Sequence, residues 1–389
     1  MEKLAKLVGE IGPSLSQCID QKAENRRLST PVFEALKKAG LFKLYLPKSL
    51  GGHEADPVTT SQLTQKVASY NTAAGWSMMV ANTASWWCNR LPEKGIEEIF
   101  KDGADTFIAG AFHPPMSATP TDNGYIINGR SPLASNVHEA KWVFVSALVM
   151  DGDRPKMIND RPVVIGVFMK AVNVQIMDTW YTIGMKATDS NDVVANGVFV
   201  PTHLSYFLDP SIPTNKFYSA PLYKFPAIGV SVTSLIAPVA LAVARNSITE
   251  LKNMAAAKVP FGSAVSMKDR GSVQRKLGMA EAIVQSAAAY LHGTLEKSWI
   301  KTQNEEVLSM EERADLLLAS TYTNQSCVQA VDQMYSAAGS TAIYTKNKLS
   351  RYMCDMQVIR QHGFSNESRF ETAAQVYLGL PPDLPVLGF

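Results

Sequence analysis

The feature that most constrains the fold is a change in sequence period that occurs twice along the chain. Between residues 107 and about 201 lie short runs rich in β-branched and aromatic residues, with turn residues between them: WVFVSALV, PVVIGVFM, VNVQIM and VVANGVFV. Helical spacing of apolar residues precedes and follows this region. Helices kept apart from a strand-rich region are typical of α+β proteins, whereas a parallel sheet needs strands and helices to alternate. We therefore predict an α+β protein with a central antiparallel β-barrel or sandwich.

The same changes of period predict three domains: an N-terminal helical domain over residues 1–110, a β domain over 111–215 and a C-terminal helical bundle over 216–389. Within the β domain, TDNGYIINGR has two Asn-Gly pairs around an apolar run, which predicts a β-hairpin. Residues 225–244, FPAIGVSVTSLIAPVALAVA, carry no charge and are about long enough to span a membrane. Two prolines and several small polar residues favour a buried core helix instead.

Composition excludes several classes of function. Apolar residues make up 46% of the chain and charged residues 19%, which provides ample core for a globular protein. The net charge is +2 with mixed signs, so we expect no nucleic-acid partner. The N-terminus MEKLAKLVGEIG has no long apolar segment and does not resemble a signal peptide. The four cysteines form no CxxC pair, as expected of reduced thiols in a cytoplasmic protein with no membrane partner.

Motifs for the commonest self-contained cofactor sites are missing from the sequence. No GxGxxG follows a strand and there is no GxxxxGK[ST], so the chain has no fingerprint for nicotinamide or nucleoside triphosphates. The six histidines are scattered without HExxH or other metal-ligand spacing, so we predict no metal. There is also no GxSxG nucleophile elbow.

Two stretches contain aromatic residues or histidine where a pocket is plausible. NTASWWCNRLP places Trp86 and Trp87 side by side on a helix, so we expect at most one to face the core squarely. The pair is either core packing or, for Trp87, the wall of an aromatic pocket. In VIRQHGFSNESRF, His362 follows Ile359 by three residues, which predicts a titratable imidazole on an apolar helix face.

Several segments, in order along essentially the whole chain, resemble the acyl-CoA dehydrogenase fold. DTWYTIGMKATDSNDVVANGVFVP, residues 178–201, is similar to its W-x-x-x-G-M-[RK]-x-T-x-S-x-D-V segment. GYIINGRSPLASNVHEAKWVFV resembles the strand pair before it, and VPFGSAVSMKDRGSVQRKLGMAEA the opening of its C-terminal bundle. LYLPKSLGG also matches. The resemblance implies a helical domain, a β domain and a four-helix bundle, with a flavin between the last two and assembly as a homotetramer.

The resemblance also implies which residues bind the flavin. Those matching positions that line the isoalloxazine ring are Ser135 and Asn136 in one segment and Trp180, Thr188 and Ser190 in the other. Phe261 and Gln274 match residues that meet the cofactor's tail across a subunit interface. Lys258 stands where dehydrogenases usually have Arg. A lysine cannot grip a pyrophosphate bidentately, so this departure weakens the expected anchoring of FAD.

Two departures point to a subclass. Dehydrogenases carry a glutamate base in I-Y-E-G-T, whereas DMQVIRQHGF offers His362 and no Glu. AGAFHPPMSATPT replaces the usual T-E-P-x-x-G-S-D loop. Both changes resemble the two-component flavin-dependent monooxygenases of this fold. The resemblance implies hydroxylation of a small aromatic or heteroaromatic substrate of phenol or indole type through a C4a-hydroperoxyflavin. FADH2 or FMNH2 would come from a separate NAD(P)H-flavin reductase, with molecular oxygen as co-substrate.

In this hypothesis His362 is the catalytic acid or base, since an unperturbed imidazole changes charge near neutral pH, and Ser135 assists catalysis beside the flavin. Trp87, His113 and His138 are the candidates for substrate binding. Three alternatives remain open at this point. The chain could be an acyl-CoA dehydrogenase or oxidase with a displaced base, or a non-catalytic flavin-fold protein, and His362 could be a structural residue bonded to a backbone carbonyl.

Overall fold

The computed structural model describes residues 2–17, 26–209 and 215–389; Cys18 lies outside these ranges. The N-terminal region is helical, with helices α1 (Glu2–Gln17), α2 (Thr30–Lys38), α3 (Pro57–Tyr70), α4 (Thr72–Trp87) and α5 (Glu93–Ile99). Side-chain caps fix where two of them begin. Asp56 accepts a hydrogen bond from the Thr59 amide at 2.8 Å, and Asn71 accepts one from the Ala74 amide at 3.1 Å. Each cap satisfies a backbone donor that the helix leaves free.

The middle of the chain forms strands β1 (Ile108–Thr121), β2 (Gly124–Ala134), β3 (Trp142–Asp151), β4 (Arg154–Pro155), β5 (Met157–Ile158), β6 (Arg161–Pro162), β7 (Val164–Lys170), β8 (Gln175–Met177), β9 (Asn191–Pro201) and β10 (Ser205–Phe207). The main sheet has the order β10-β7-β3-β1-β2-β9-β8, with β4 paired to β3. Strands β5 and β6 pair separately.

The predicted hairpin is confirmed, because β1 and β2 pair from Thr121 opposite Gly124. The second Asn-Gly pair ends at Gly129, whose φ of +132° accompanies a register shift between β2 and β9. The expectation of a wholly antiparallel sheet is wrong at one pair, since β1 and β3 run parallel. Strand β2 runs antiparallel to β1 on one side of it, and the chain reverses again before it forms β3 on the other side of β1. Strand β3 therefore runs in the same direction as β1.

The C-terminal region contains a π-helix (Gly229–Ile236) that runs into α6 (Ala237–Ala257), followed by α7 (Gly271–Gln303), α8 (Met310–Ala338), α9 (Lys348–Ile359) and α10 (Arg369–Tyr377). Helices α6 to α9 pack as a four-helix bundle, and α10 packs on α8. In the part of the chain that is described, one helix, Gly229–Ala257, is long and apolar enough to cross a membrane. Because 89% of its apolar window is buried inside the protein, the prediction of a core helix is confirmed.

Helix α4 lies between the β domain and the C-terminal bundle. It contacts β1 on one side and the π-helix and α6 on the other, and all of its residues are buried. Trp86 and Trp87 are therefore both in the core, each at most 2% exposed. The expectation that at most one of them faces the core is wrong, because neighbours surround this helix on every side.

Candidate flavin and substrate site

A chain of buried hydroxyl groups joins three segments of the fold. Trp76 on α4 donates from Nε1 to the Ser135 hydroxyl at 3.3 Å. Ser135, just after β2, lies 2.7 Å from the Ser190 hydroxyl, which lies 2.7 Å from that of Thr188. All four side chains are buried. The structure thus brings together Ser135, Thr188 and Ser190, which were predicted from two separate segments, and adds Trp76, which sequence reasoning missed.

Asn136 has a buried donor that nothing in the described chain uses. Its backbone amide donates to Thr188 O at 2.8 Å, and its Oδ1 accepts from the Ser77 hydroxyl at 3.1 Å. Its Nδ2 is buried without a hydrogen-bond partner among the described residues. Buried amide donors are nearly always paired in folded proteins. An unpaired donor beside the hydroxyl chain indicates that a ligand acceptor completes it.

Backbone strain is concentrated around the same place. Nine described residues other than glycine have positive φ, and four of them surround the hydroxyl chain: Leu133 (+67°), Asn136 (+54°), Met185 (+51°) and Asp189 (+49°). Strained conformations of this kind cluster at ligand sites and persist where the surroundings enforce them. Leu133 also exposes 58% of its side chain. Sequence reasoning missed Leu133 and Met185, since no motif marks positive φ at such residues.

Trp180 is held in the loop between β8 and β9. Its indole Nε1 donates to Met185 O at 3.2 Å, and its backbone amide donates to Asn191 Oδ1 at 3.0 Å. The same Met185 carbonyl accepts from the Thr188 hydroxyl at 2.9 Å. This peptide therefore orients both Trp180 and Thr188 towards the hydroxyl chain.

These residues fit a flavin ring, which is flat, apolar on its faces and edged with acceptor oxygens and nitrogens. The unpaired Asn136 Nδ2 supplies a donor to such an edge. Because the Thr188 hydroxyl donates to Met185 O, Ser190 donates to Thr188 and Ser135 donates to Ser190, so the serine oxygens offer lone pairs to a donor on the ligand. The exposed Leu133 side chain offers an apolar surface to a ring face. The donor set therefore agrees with a flavin.

His362 lies in the turn beyond α9, because the helix ends at Ile359. The expectation that it lies on a helix face is therefore wrong, although its ring does pack against aromatic side chains. Its ring meets Trp76 edge-on at 5.5 Å between centroids and Phe364 at 5.6 Å. Nδ1 accepts from the Phe364 amide at 3.3 Å, which leaves the proton of the neutral ring on Nε2.

Burial lowers the pKa of His362 to about 4. Removing an imidazolium from water disfavours its charged form, and among the described residues no opposite charge offsets this. At neutral pH the free chain therefore holds a neutral imidazole with Nε2–H as its donor. The sequence expectation of a charge change near neutrality is corrected by this low pKa.

Aromatic rings continue from His362 into the core. Phe364 meets Phe112 at 5.9 Å, and Phe112 meets Trp87 at 5.8 Å and Phe144 at 4.9 Å. The structure thus links Trp87, a predicted substrate residue, to His362 through two rings that the sequence did not single out. The sequence signal nearest to Phe112 and Phe364 is a candidate histidine close to each of them, His113 and His362.

The two other candidate histidines differ in their surroundings. His138 Nδ1 lies 2.9 Å and 3.0 Å from the two carboxylate oxygens of buried Asp189, and its backbone amide donates to the same carboxylate at 3.1 Å. The ring is thereby fixed with Nε2 left free. His113 on β1 is exposed, while its neighbour Phe112 turns inwards.

Of the residues expected at the cofactor's tail, Phe261 and Gln274 are exposed and Lys258 is partly buried. Lys258 donates from Nζ to Ala338 O at 2.9 Å and to the Thr341 hydroxyl at 2.5 Å. Phe261 is fully exposed, and Gln274 Nε2 donates to Lys268 O at 3.1 Å. Within the described ranges, no three His, Cys, Asp or Glu side chains are grouped to hold a metal ion.

Comparison with known proteins gives a family. Residues 234–367 match the family described as "Acyl-CoA dehydrogenase, C-terminal domain". The chain is 27% identical over 366 residues to indole-3-acetate monooxygenase of Acinetobacter baumannii, covering 94% of this chain and 91% of that protein. It is 25% identical over 363 residues to the flavin-dependent monooxygenase oxygenase subunit HsaA of Mycobacterium tuberculosis, covering 92% and 90%.

A solved structure supports the fold along the whole length. XiaF from Streptomyces sp., in complex with FADH2 and glycerol, superposes with a TM-score of 0.91 over 99% of this chain and 97% of its own, at 22% identity. The predicted fold is therefore confirmed. Both of these relatives are named as monooxygenases, which favours the monooxygenase hypothesis over a dehydrogenase or a non-catalytic protein. A donor set that fits a flavin and a histidine just beyond α9 agree with these similarities, so the chain resembles the flavin-dependent monooxygenases that share the acyl-CoA dehydrogenase fold.

Proposed function

We propose that this enzyme hydroxylates a small aromatic or heteroaromatic substrate of phenol or indole type, using reduced FAD or FMN and molecular oxygen. The observation that carries the proposal is the run of rings from Trp87 through Phe112 and Phe364 to His362. Aromatic walls favour a flat ring by stacked and edge-to-face contacts. One relative is named indole-3-acetate monooxygenase, which supports an indole-type substrate.

In this proposal each residue has a defined task. The flavin, once bound and reduced, supplies the electrons that activate molecular oxygen. Ser135, Asn136 and Ser190 hold and orient its polar edge. Phe112 and Phe364 bind the substrate ring and exclude water, which strengthens every polar interaction inside the site. Trp180 and Thr188 are fixed against the same wall by Met185 O.

His362 is proposed to act through Nε2–H. Because Nδ1 is engaged by the Phe364 amide, the neutral ring presents its donor to whatever oxygen lies beside it. An anionic ligand next to the ring would raise its pKa again, since an opposite charge favours the protonated form. His362 then both orients an oxygen and holds a proton that it can supply.

Three further residues are proposed to contact the substrate or the flavin. Trp87 is proposed to close the far end of the substrate pocket. His138, held by Asp189 with Nε2 free, is proposed to contact substrate or flavin. His113, exposed on β1, is proposed to act at the entrance.

The direct test is a substrate screen with an added flavin reductase, in which phenols and indoles are examined by mass for the gain of one oxygen atom. Product from at least one aromatic compound, dependent on both reductase and this chain, is the expected result. Oxidation of an acyl-CoA with bleaching of bound flavin would contradict the proposal and support the dehydrogenase alternative.

The reduced flavin is proposed to come from a separate NAD(P)H-flavin reductase. We expect the purified chain mixed with NADH and oxidised flavin to leave the NADH absorbance unchanged, because the sequence has no dinucleotide fingerprint. Adding any flavin reductase should start NADH consumption. NADH oxidation by the chain alone, at a rate proportional to its concentration, would refute this source of electrons.

We further propose a homotetramer in which Phe261 and Gln274 meet the cofactor's tail of a neighbouring copy and Lys258 helps to anchor it. The support is the apolar surface around Phe261, which is fully exposed, with Val259 59% and Val265 48% exposed. Exposed apolar patches of this kind mark interaction sites.

We expect Phe261→Asp to reduce the molar mass measured by light scattering from that of a tetramer to that of a smaller species. A charge in an apolar interface costs desolvation energy that no partner returns. The matched control is Val172→Asp, at another apolar residue that is 89% exposed but lies in the β domain. A tetramer that survives Phe261→Asp would show that this surface is not the interface.

We propose that the enzyme is located in the cytoplasm. Free Cys88 and Cys327 are buried in the core, which agrees with a reducing compartment.

We also propose three domains, over residues 1–110, 111–215 and 216–389. The change from helices to strands between Ile99 and Ile108 supports the first boundary.

A further inference from the structure

A buried carboxylate lies where the walls of the flavin site meet. Asp355 on α9 is 6% exposed, and its Oδ1 accepts from the Met185 amide at 2.6 Å. Such a short bond to a carboxylate is of the strong, charge-assisted type. Met185 is the residue whose carbonyl holds Trp180 and Thr188, so this one residue is bonded to α9 through its N–H and to the flavin wall through its C=O.

The loop and the helix also touch backbone to backbone. A Cβ at Gly184 would stand 2.2 Å from Cys354 O, so only glycine allows this approach. Met185 follows with a φ of +51°, a strained conformation for a methionine. Strain of this kind persists only where the surroundings enforce it. The carboxylate of Asp355 is the group that holds the strained peptide in place.

The third wall reaches the same carboxyl group. Thr72, the first residue of α4, lies close enough to the Asp355 carboxyl to lower its pKa. Four and five residues further along α4, Trp76 and Ser77 contact Ser135 and Asn136. In the other direction, α9 leads from Asp355 to the turn that holds His362.

The charges around Asp355 keep it an acceptor at neutral pH. Burial raises its pKa to about 6, opposed by the Met185 amide, by Arg351 on α9, by Thr72 on α4 and by Lys186 on the loop. Cys354, the residue before Asp355 on α9, is also titratable, and burial and the Asp355 charge raise the pKa of its thiol. Above pH 6 the group is mostly an ionised carboxylate, which accepts hydrogen bonds and donates none.

We propose that Asp355 is a positioning residue for the oxygenation reaction, which joins the Met185 loop, the start of α4 and the helix leading to His362, and so sets the distance between the flavin wall and the imidazole. This inference rests on the proposed function of those walls. It assigns Asp355 no contact with substrate or flavin.

The test compares Asp355→Ala with Asp355→Asn, which keeps an acceptor oxygen, and with Gln357→Ala as a matched control on the same helix. Gln357 bonds only to the Met353 sulfur in the described structure. Hydrogen exchange of the peptide containing Met185 is measured on the flavin-free chain. Binding of oxidised FMN and FAD is measured separately by flavin fluorescence.

We expect Asp355→Ala to lose a hydrogen bond to a charged group. The exchange rate at the Met185 amide and the flavin Kd should therefore each rise by about tenfold or more. Asp355→Asn should stay within about threefold of the parent, since it keeps an acceptor for the same amide. Gln357→Ala should match the parent. If Asp355→Ala fails to fold, Gly184→Ala, which forces the loop off α9, should give the same local increase in exchange.

Unchanged exchange and unchanged flavin Kd in Asp355→Ala would overturn the proposal. An equal rise of exchange throughout α7 would overturn it too, because that result means general destabilisation instead of a released loop. A parent protein that binds neither oxidised flavin nor, in the absence of oxygen, reduced flavin would instead contradict the proposed function, while the exchange measurement still decides the role of Asp355.

Discussion

Replacing His362 with alanine is expected to lower hydroxylation by roughly a hundredfold or more, the usual effect of losing a group that moves or orients a proton. The Nε2–H donor disappears, while the hydroxyl chain around Ser135 is untouched. Flavin should still bind and oxygen should still be consumed, so hydrogen peroxide replaces product. The measurement is product and peroxide formed per NADH, with a reductase present.

The matched control is His292→Ala. His292 on α7 is also a partly buried histidine whose pKa is lowered by burial, but it lies outside the site. Its loss should leave the ratio of product to peroxide unchanged. His362→Asn should restore part of the activity, since an amide also donates. Full activity in a His362→Ala protein with a lowered melting temperature would show that the ring is only core packing against Trp76 and Phe364.

Ser135→Ala is the second large effect that we expect, a loss of about tenfold to a hundredfold in product formed per flavin oxidised. Ser135 joins Trp76 to Ser190, so its removal leaves Trp76 Nε1 without its acceptor and the Ser190 hydroxyl with Thr188 alone. An unsatisfied buried donor is costly and moves to find another acceptor, which disturbs the surface offered to the flavin. Coupling is read from product and peroxide as for His362.

Ser247→Ala is the matched control for this second variant. The Ser247 hydroxyl is equally buried but donates to Ala244 O at 2.7 Å within α6, far from the hydroxyl chain in sequence. It should change stability slightly and coupling not at all. If Ser135→Ala and Ser247→Ala give the same coupling as the parent, the Ser135 hydroxyl does not act on the flavin.

Local signals in the sequence predicted the elements well. The Asn-Gly pair at 123–124 marked the hairpin, although its turn residues are Asp122 and Asn123 and neither has positive φ. Gly124 already lies in β2, where a Cβ would stand 2.2 Å from Val200 O. Helix α8 ends at Ala338, just before Gly339, whose φ is +65°. The uncharged run from 225 to 244 is a core helix, as its prolines and small polar residues indicated.

The family resemblance grouped Ser135 with Ser190 in one predicted site, and their hydroxyls lie side by side in the structure. Ser135 and Ser190 lie 55 residues apart in the chain, and only their resemblance to flavin-facing positions joined them beforehand. Periodicity failed at His362, since spacing from Ile359 fits a continuing helix equally well, and the backbone instead turns after the helix ends. Where a helix stops is decided by what its last turn packs against, which spacing does not record.

The sequence by itself determined the class of fold, the order of its parts and the chemistry of the late-helix position, because these depend on period, turn residues and side-chain type. Only the tertiary structure decided that β3 runs parallel to β1, that Trp86 and Trp87 are both buried and that burial lowers the pKa of His362. Only it joined Asp355 to Met185, across 170 residues of chain. The physical reason is that pairing direction, desolvation and contact between distant segments are properties of neighbours in space, which a linear pattern does not contain.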